Sequence, residues 1–307
     1  MKNNLMQTDD KTLHLAGIYP PIPTPFDEKG QIAVKALKDN LAFLNRFDLR
    51  GIVVMGSNGE YVMLSEKEKT LLMETARAAI SPDMLMIAGT GCQSTTETIA
   101  LTRKAADIGA DAALVITPSY YRKAMTPEAL SAHFRAVADA SPIPVILYNM
   151  PANTGIDLEA DTIAALAQHP NIIGIKDSGG NIVKMGDIRR MAGPSFQVLA
   201  GSAGFLLPAL SVGAVGGILA LANIAPTQSI AIHKYFLEGD HADALDLQLR
   251  MIPVNSAVTA RWGIPALKAA MDFLGLYGGP VRPPLMPLPE ETRKLLETIL
   301  TEGGILK

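Results

Sequence analysis

The chain is poor in the residues that support several large functional classes. It has one cysteine, Cys92, which excludes an intramolecular disulfide framework and a thiolate-rich metal site. Neither sign of charge dominates: 27 Lys and Arg face 30 Asp and Glu, a formal net charge of −3. That balance excludes a strongly basic nucleic-acid binder and gives no electrostatic reason to bind a membrane. No apolar stretch is long enough to span a bilayer; the longest, 209–222, is cut by Gly213, Gly216 and Gly217. The N-terminal segment lacks an apolar core of signal-peptide length. It carries Asp9 and Asp10 and no Arg before residue 17, unlike an organelle transit peptide. A cytoplasmic location is the expectation. The histidines, His14, His133, His169, His233 and His241, show no metal-ligand spacing. No G-x-G-x-x-G follows the first apolar run, and no G-x-S-x-G elbow is present.

What the chain does have is alternation. Short apolar, β-branched runs at 17–23, 51–55, 84–88, 112–116, 145–148, 172–176, 197–200 and 214–219 read as strands. Several are apolar at nearly every position, as strands buried on both faces are. Helical patterns lie between them at 31–46, 65–80, 94–109, 126–139, 158–169, 181–192, 203–211 and 226–238. Ser65-Glu-Lys-Glu68 reads as a capping box. Thr126-Pro127 puts a cap before a proline at the first helical position. Gly109 and Gly239 stand where helix C-caps are expected. Eight strand–helix units predict an α/β fold, a (β/α)₈ TIM barrel, with an open doubly wound sheet as the alternative. The expected organisation is an N-terminal extension over 1–15, a barrel over 16–238 and a C-terminal helical extension over 239–307. The extension should be interrupted at Pro253, at Gly263-Ile-Pro265 and by a loop over 277–287.

In a barrel the C-terminal strand ends share one pocket, and here they are polar and glycine-rich. Strand 2 runs into Gly56-Ser-Asn-Gly-Glu60, strand 4 into Thr117-Pro-Ser-Tyr-Tyr121, and strand 5 ends at Tyr148-Asn-Met-Pro151. Strand 6 ends at Lys176-Asp-Ser-Gly-Gly180 and strand 7 at Gly201-Ser-Ala-Gly204. Lys176 closes an apolar run, where desolvation disfavours an ammonium and makes a nucleophilic amine accessible. Such an amine forms a Schiff base with a ketone, and the iminium then serves as electron sink. The competing reading pairs Lys176 with Asp177 or Glu60 at the rim. Tyr148 is either a proton shuttle or a core tyrosine. Tyr120 and Tyr121 offer a relay hydroxyl or form a surface pair. The 56–59 segment offers amides and a hydroxyl to a carboxylate, or is an ordinary turn. Gly201–Gly204 suits a phosphate or simply close packing. Cys92 is a weak nucleophile candidate beside a buried small hydrophobe.

Taken together, Gly56-Ser-Asn-Gly-Glu60, Tyr148-Asn-Met-Pro151 and Lys176-Asp177 resemble the dihydrodipicolinate synthase/N-acetylneuraminate lyase family, Schiff-base class I aldolases on a (β/α)₈ barrel. The resemblance covers about residues 17 to 285. It implies Lys176 as the imine-forming lysine and Tyr148 as the proton shuttle, in a relay with Ser57 and Tyr121. The relay tyrosine is usually contributed across a subunit interface, so a homotetramer, a dimer of dimers, is implied. Backbone amides of Ser57 and Asn58 would hold the pyruvate carboxylate; Asn58, Ser178, Asn153 and Gly201 are further substrate-binding candidates. No metal and no organic cofactor is implied, only the covalent imine at Lys176. Synthases of the family place an arginine where Asn153 stands, for the carboxylate of aspartate semialdehyde; an amide does not replace that fork. With Ser57-Asn58, Pro151-Ala-Asn-Thr-Gly155 and Ala200-Gly-Ser-Ala-Gly-Phe205, the chain is most similar to the 4-hydroxy-2-oxoglutarate aldolases. That likeness implies cleavage to pyruvate and glyoxylate. The alternatives are dihydrodipicolinate synthase activity, another 2-oxo acid lyase, and a 2-oxo acid-binding sensor.

Overall fold

The computed structural model describes residues 13–306. Eight parallel strands form one sheet: β1 (Gly17–Tyr19), β2 (Gly51–Val54), β3 (Leu85–Gly89), β4 (Ala112–Ile116), β5 (Val145–Asn149), β6 (Ile172–Asp177), β7 (Gln197–Ala200) and β8 (Gly216–Ile218). Hydrogen bonding links β2 through β8 in chain order and then returns to β1. The seam between β1 and β2 is thin because Pro20, Pro21 and Pro23 have no N–H to donate. It closes nevertheless: the Val53 N–H donates to Pro20 O and the Ile22 N–H to Val53 O, each at 3.0 Å. Closure excludes the open sheet that the alternation alone had left standing.

Helices α1 (Val34–Leu44), α2 (Glu66–Ala79), α3 (Thr95–Ile108), α4 (Pro127–Ala140), a single turn α5 (Pro151–Thr154), α6 (Ala160–Leu166), α7 (Ile182–Ala192), α8 (Leu206–Ser211) and α9 (Pro226–Glu238) surround the strands. The expected capping box is present: the Glu68 N–H donates to Ser65 Oγ and the Ser65 N–H to the Glu68 carboxylate, a cap worth about 1 kcal/mol. Gly109 and Gly239 end α3 and α9 with φ of 94° and 84°, left-handed values open to glycine at no steric cost.

The strands have two apolar faces, as their composition requires. Tyr19, Val53, Ile87, Leu114, Ile146, Tyr148, Leu199 and Ile218 fill the barrel. Ile52, Val54, Val115, Leu147 and Val198 pack outward beneath the helices. In β6 the alternation breaks: Val145 pairs with Ile172 but Ile146 pairs with Gly174. Ile173, which faces inward, is therefore the extra residue of a bulge, and beyond it the pleat inverts. Ile175 faces the helices and Lys176 turns into the barrel, level with Tyr148. Re-aiming a side chain is a characteristic effect of a bulge.

At the opposite end Leu15 is fully buried; its N–H donates to Gln197 Oε1 at 2.7 Å, and Gln197 Nε2 donates to Leu13 O. Residues 1–12 of the expected N-terminal extension lie outside the described residues. Beyond the barrel come α10 (His241–Ser256), α11 (Gly263–Phe273) and α12 (Glu290–Glu302). The expected break at Pro253 does not occur. The helix runs through it, and a π-turn over Ala257–Arg261 follows its end. The break falls at Gly263, with φ of 63°. Pro265 sits in the first turn of α11, where its missing N–H has no helical partner to lose.

Candidate active site

The bulge in β6 and the register of β5 bring two of the expected residues together. The Lys176 ammonium lies 4.0 Å from the centroid of the Tyr148 ring, and both side chains are buried, Lys176 to 4% exposure. The Tyr148 hydroxyl is 3.3 Å from Ser57 Oγ, a long but workable hydroxyl pair. Burial opposes ionisation of Tyr148, but the adjacent Lys176 charge and the Ser57 hydroxyl outweigh it and bring the phenol below its ordinary value. A phenol so placed can give up and regain a proton beside the amine.

Neither carboxylate proposed as a rival partner for Lys176 is spent on it. Asp177, fully buried, accepts from the Gly179 N–H at 2.7 Å and Asn149 Nδ2 at 2.9 Å, and pairs with Lys184 at 3.3 Å. Glu60 pairs with Lys268 at 2.6 Å. Among the described residues no ion pair to Lys176 is formed, so the structural reading of this lysine loses its support.

The other candidates are placed as follows. Ser57 and Asn58 open a short helical turn, Ser57–Gly59, whose first bond back is from the Gly59 N–H to Gly56 O; the opening amides of such a turn have no partner within it. Ser178 Oγ is buried with no hydrogen bond of ordinary geometry, but it lies near enough to the Tyr148 hydroxyl to favour the ionised phenol. Gly201 lies against it, its N–H donating to Asp177 O at 2.7 Å. Asn153 is exposed on α5. Tyr121 stands apart from the cluster: it is 73% exposed and stacks edge-on against Tyr120 with ring centroids 5.1 Å apart. Cys92 is half-buried, and burial pushes its thiol up, which makes it a poor nucleophile at neutral pH.

Behind the cluster stands a network that sequence reasoning missed. Asn149 and Asp177 follow Tyr148 and Lys176 in register. Asn149 Nδ2 bridges Asp177 and Asp157, its Oδ1 accepts the Leu158 N–H, and Lys184 from α7 joins both carboxylates. It locks the ends of β5 and β6 from the helix side. The only signal in the sequence was the polar residue directly after each catalytic candidate.

A barrel of this form with a lysine and a tyrosine on adjacent strand ends can be compared with known proteins. Residues 14–303 match the family model described as the dihydrodipicolinate synthetase family. This chain belongs to that family. It is 37% identical over 287 residues, 93% of this chain and 96% of the relative, to the 4-hydroxy-tetrahydrodipicolinate synthase of Methanothrix thermoacetophila. It is 40% identical over 287 residues, 92% and 93% of the two chains, to a probable mitochondrial 4-hydroxy-2-oxoglutarate aldolase of Emericella nidulans. The crystal structure of a dihydrodipicolinate synthase from Bacillus anthracis superposes with a TM-score of 0.91 at 31% identity, covering 94% of this chain and 99% of that one. As a member of the family, the protein is a class I, pyruvate-dependent carbon–carbon lyase. Among the described residues no helix is long and apolar enough to cross a membrane.

Proposed function

We propose that the protein cleaves 4-hydroxy-2-oxoglutarate to pyruvate and glyoxylate through a Schiff base on Lys176. The observation that carries this reading is the buried Lys176–Tyr148–Ser57 cluster, with the ammonium 4.0 Å from the phenol ring and the two hydroxyls 3.3 Å apart. Lys176 Nζ attacks C2 of the 2-oxo acid and water leaves, giving the iminium. Tyr148, relayed by Ser57 and Tyr121, takes the proton of the C4 hydroxyl. The C3–C4 bond breaks, its electron pair passes into the iminium as an enamine, and glyoxylate departs. Protonation at C3 and hydrolysis return the amine and pyruvate. The imine supplies the electron sink, so the reaction needs no further cofactor.

The amides of Ser57 and Asn58 hold the carboxylate next to C2. Asn58 and Ser178 hold the distal carboxylate, with Gly201 shaping the wall; the buried Ser178 Oγ, close to the Tyr148 hydroxyl, supports that role, and Asn153 is the outer candidate. Tyr121, exposed in the single chain, completes the site of a neighbouring subunit in a homotetramer built as a dimer of dimers. The protein works in the cytoplasm on small 2-oxo acids.

Synthase activity on pyruvate and aspartate semialdehyde is the second reading, favoured by the likeness to the Methanothrix synthase. Against it stands Asn153, an amide where that chemistry needs a guanidinium for the carboxylate. NMR of the purified protein with 4-hydroxy-2-oxoglutarate, beside Lys176→Ala, decides between them. Release of pyruvate and glyoxylate by the wild type alone supports the cleavage. No release, with consumption of pyruvate plus aspartate semialdehyde, transfers the assignment to the synthase.

A further inference from the structure

The turn after β2 is held from a distance. Two non-glycine residues have positive φ among the described residues, Met55 at 58° and Glu60 at 54°, and they bracket Ser57 and Asn58. Side chains stay in the left-handed region only where their surroundings over-determine it. For Met55 the surroundings are Gly89, where any side chain would collide with the Met55 carbonyl. For Glu60 they come from the C-terminal extension. Its carboxylate is fully buried: Oε1 pairs with Lys268 of α11 at 2.6 Å, and Oε2 accepts the Arg282 N–H at 2.8 Å. Lys268, 2% exposed at its side chain, also donates to Pro280 O at 2.8 Å and lies 4.6 Å from the Phe26 ring centroid. The loop crosses α11 at Gly278, where a Cβ would fall 2.7 Å from Lys268 Cα. From the segment that follows β1, the Thr24 hydroxyl donates to Gly59 O at 2.6 Å.

A buried ion pair is an expensive way to pack a helix, since apolar side chains of similar volume serve at least as well. What it adds is a fixed direction and distance. We propose that Glu60 and Lys268 are positioning residues for the 2-oxo acid: the pair holds the Ser57–Asn58 turn in place, and the C-terminal extension thereby sets the affinity of a site to which it contributes no group. This rests on the Schiff-base reading above and extends it to residues that touch no reacting atom.

The test is borohydride trapping of pyruvate on Lys176, read as the pyruvate concentration for half-maximal labelling and as the labelling at saturation. The variants are Glu60→Gln, Lys268→Met and the two combined, the combination leaving no charge buried alone. Asn40→Ala is the control: Asn40 ties the same extension to α1, donating to Tyr277 O at 2.8 Å and accepting the Tyr277 N–H at 3.0 Å, away from the turn. Expected is a rise of about tenfold or more in half-saturation for the Glu60 and Lys268 variants, equivalent to about 1.4 kcal/mol. Labelling at saturation should be retained, and half-saturation unchanged in Asn40→Ala at equal or greater loss of thermal stability. If the single variants do not fold, the double variant carries the test. Wild-type half-saturation in a folded variant of the pair, or an equal rise in Asn40→Ala, overturns the proposal. Failure of the wild type to label at all strikes the Schiff-base reading, and the proposal with it. The assay uses no 4-hydroxy-2-oxoglutarate, so it is independent of the choice of aldehyde.

Discussion

Gly201→Ala adds one methyl group beside the lysine proposed to form the Schiff base. The new Cβ would stand 2.7 Å from Asp177 O and 2.8 Å from Ser178 Cα, and closer still to Ser178 Oγ. The hydroxyl could rotate away, but the carbonyl and the Cα are backbone and cannot. Ordinary carbon contacts begin near 3.5 Å, so the 177–178 segment must withdraw by roughly 1 Å or the β7 end must. The Gly201 N–H bond to Asp177 O couples the two, and Lys176 precedes the displaced residues directly. A misplacement of about 1 Å costs on the order of 100-fold in rate, while overpacking costs about 1–3 kcal/mol of stability. Steady-state pyruvate release should therefore fall by about two orders of magnitude in kcat/KM, in a variant that still unfolds cooperatively in urea. Activity within threefold of wild type, with the fold intact, would refute the claim that β7 presses on the lysine strand.

Tyr148→Phe keeps the ring beside Lys176 and removes the hydroxyl. It should lower kcat by about 10²- to 10⁴-fold, with pyruvate still trapped, slowly, on Lys176; a kcat near wild type assigns the proton elsewhere. Lys184→Met strands the carboxylates of Asp177 and Asp157, and should cost about 3–5 kcal/mol in denaturant unfolding; a loss below 1 kcal/mol dismisses the network as a clamp. His133 is buried in α4 with Nδ1 2.9 Å from Thr95 Oγ1, and burial pushes its pKa from 6.5 down to about 4. The unfolded chain takes up this proton near pH 6.5 and the folded one only near 4. Stability is thus full above 6.5 and declines between those values, by at most about 3 kcal/mol. Unfolding titrations from pH 7.5 to 4.5 should show a gentler decline for His133→Gln; identical slopes would mean that other groups govern the acid limb.

The strands were readable because both of their faces are buried, which makes them apolar throughout, and the helices because Ser65, Thr126, Gly109 and Gly239 mark their ends. The same uniformity hid the facing of Lys176. Ile172-Ile-Gly-Ile175 has no period-2 contrast, so a bulge at Ile173 leaves no trace in hydropathy. Pro253 misled because a proline within a helix removes one bond without ending it when the helix is packed on both sides, as α10 is against α9 and the 203–205 turn. The Glu60 anchor could not be read at all: Arg282, which shares its carboxylate, is 222 residues away. Tyr121 shows the limit from the other side, since one chain displays it only as an exposed ring.

Lys176 is proposed as the amine that captures a 2-oxo acid. Incubation with pyruvate and borohydride, followed by peptide mass spectrometry of the wild type and Lys176→Ala, tests it most directly. Expected is one reduced pyruvyl group per chain, on the peptide containing Lys176, and none in the variant. Labelling at another lysine, or equal labelling of Lys176→Ala, would contradict it.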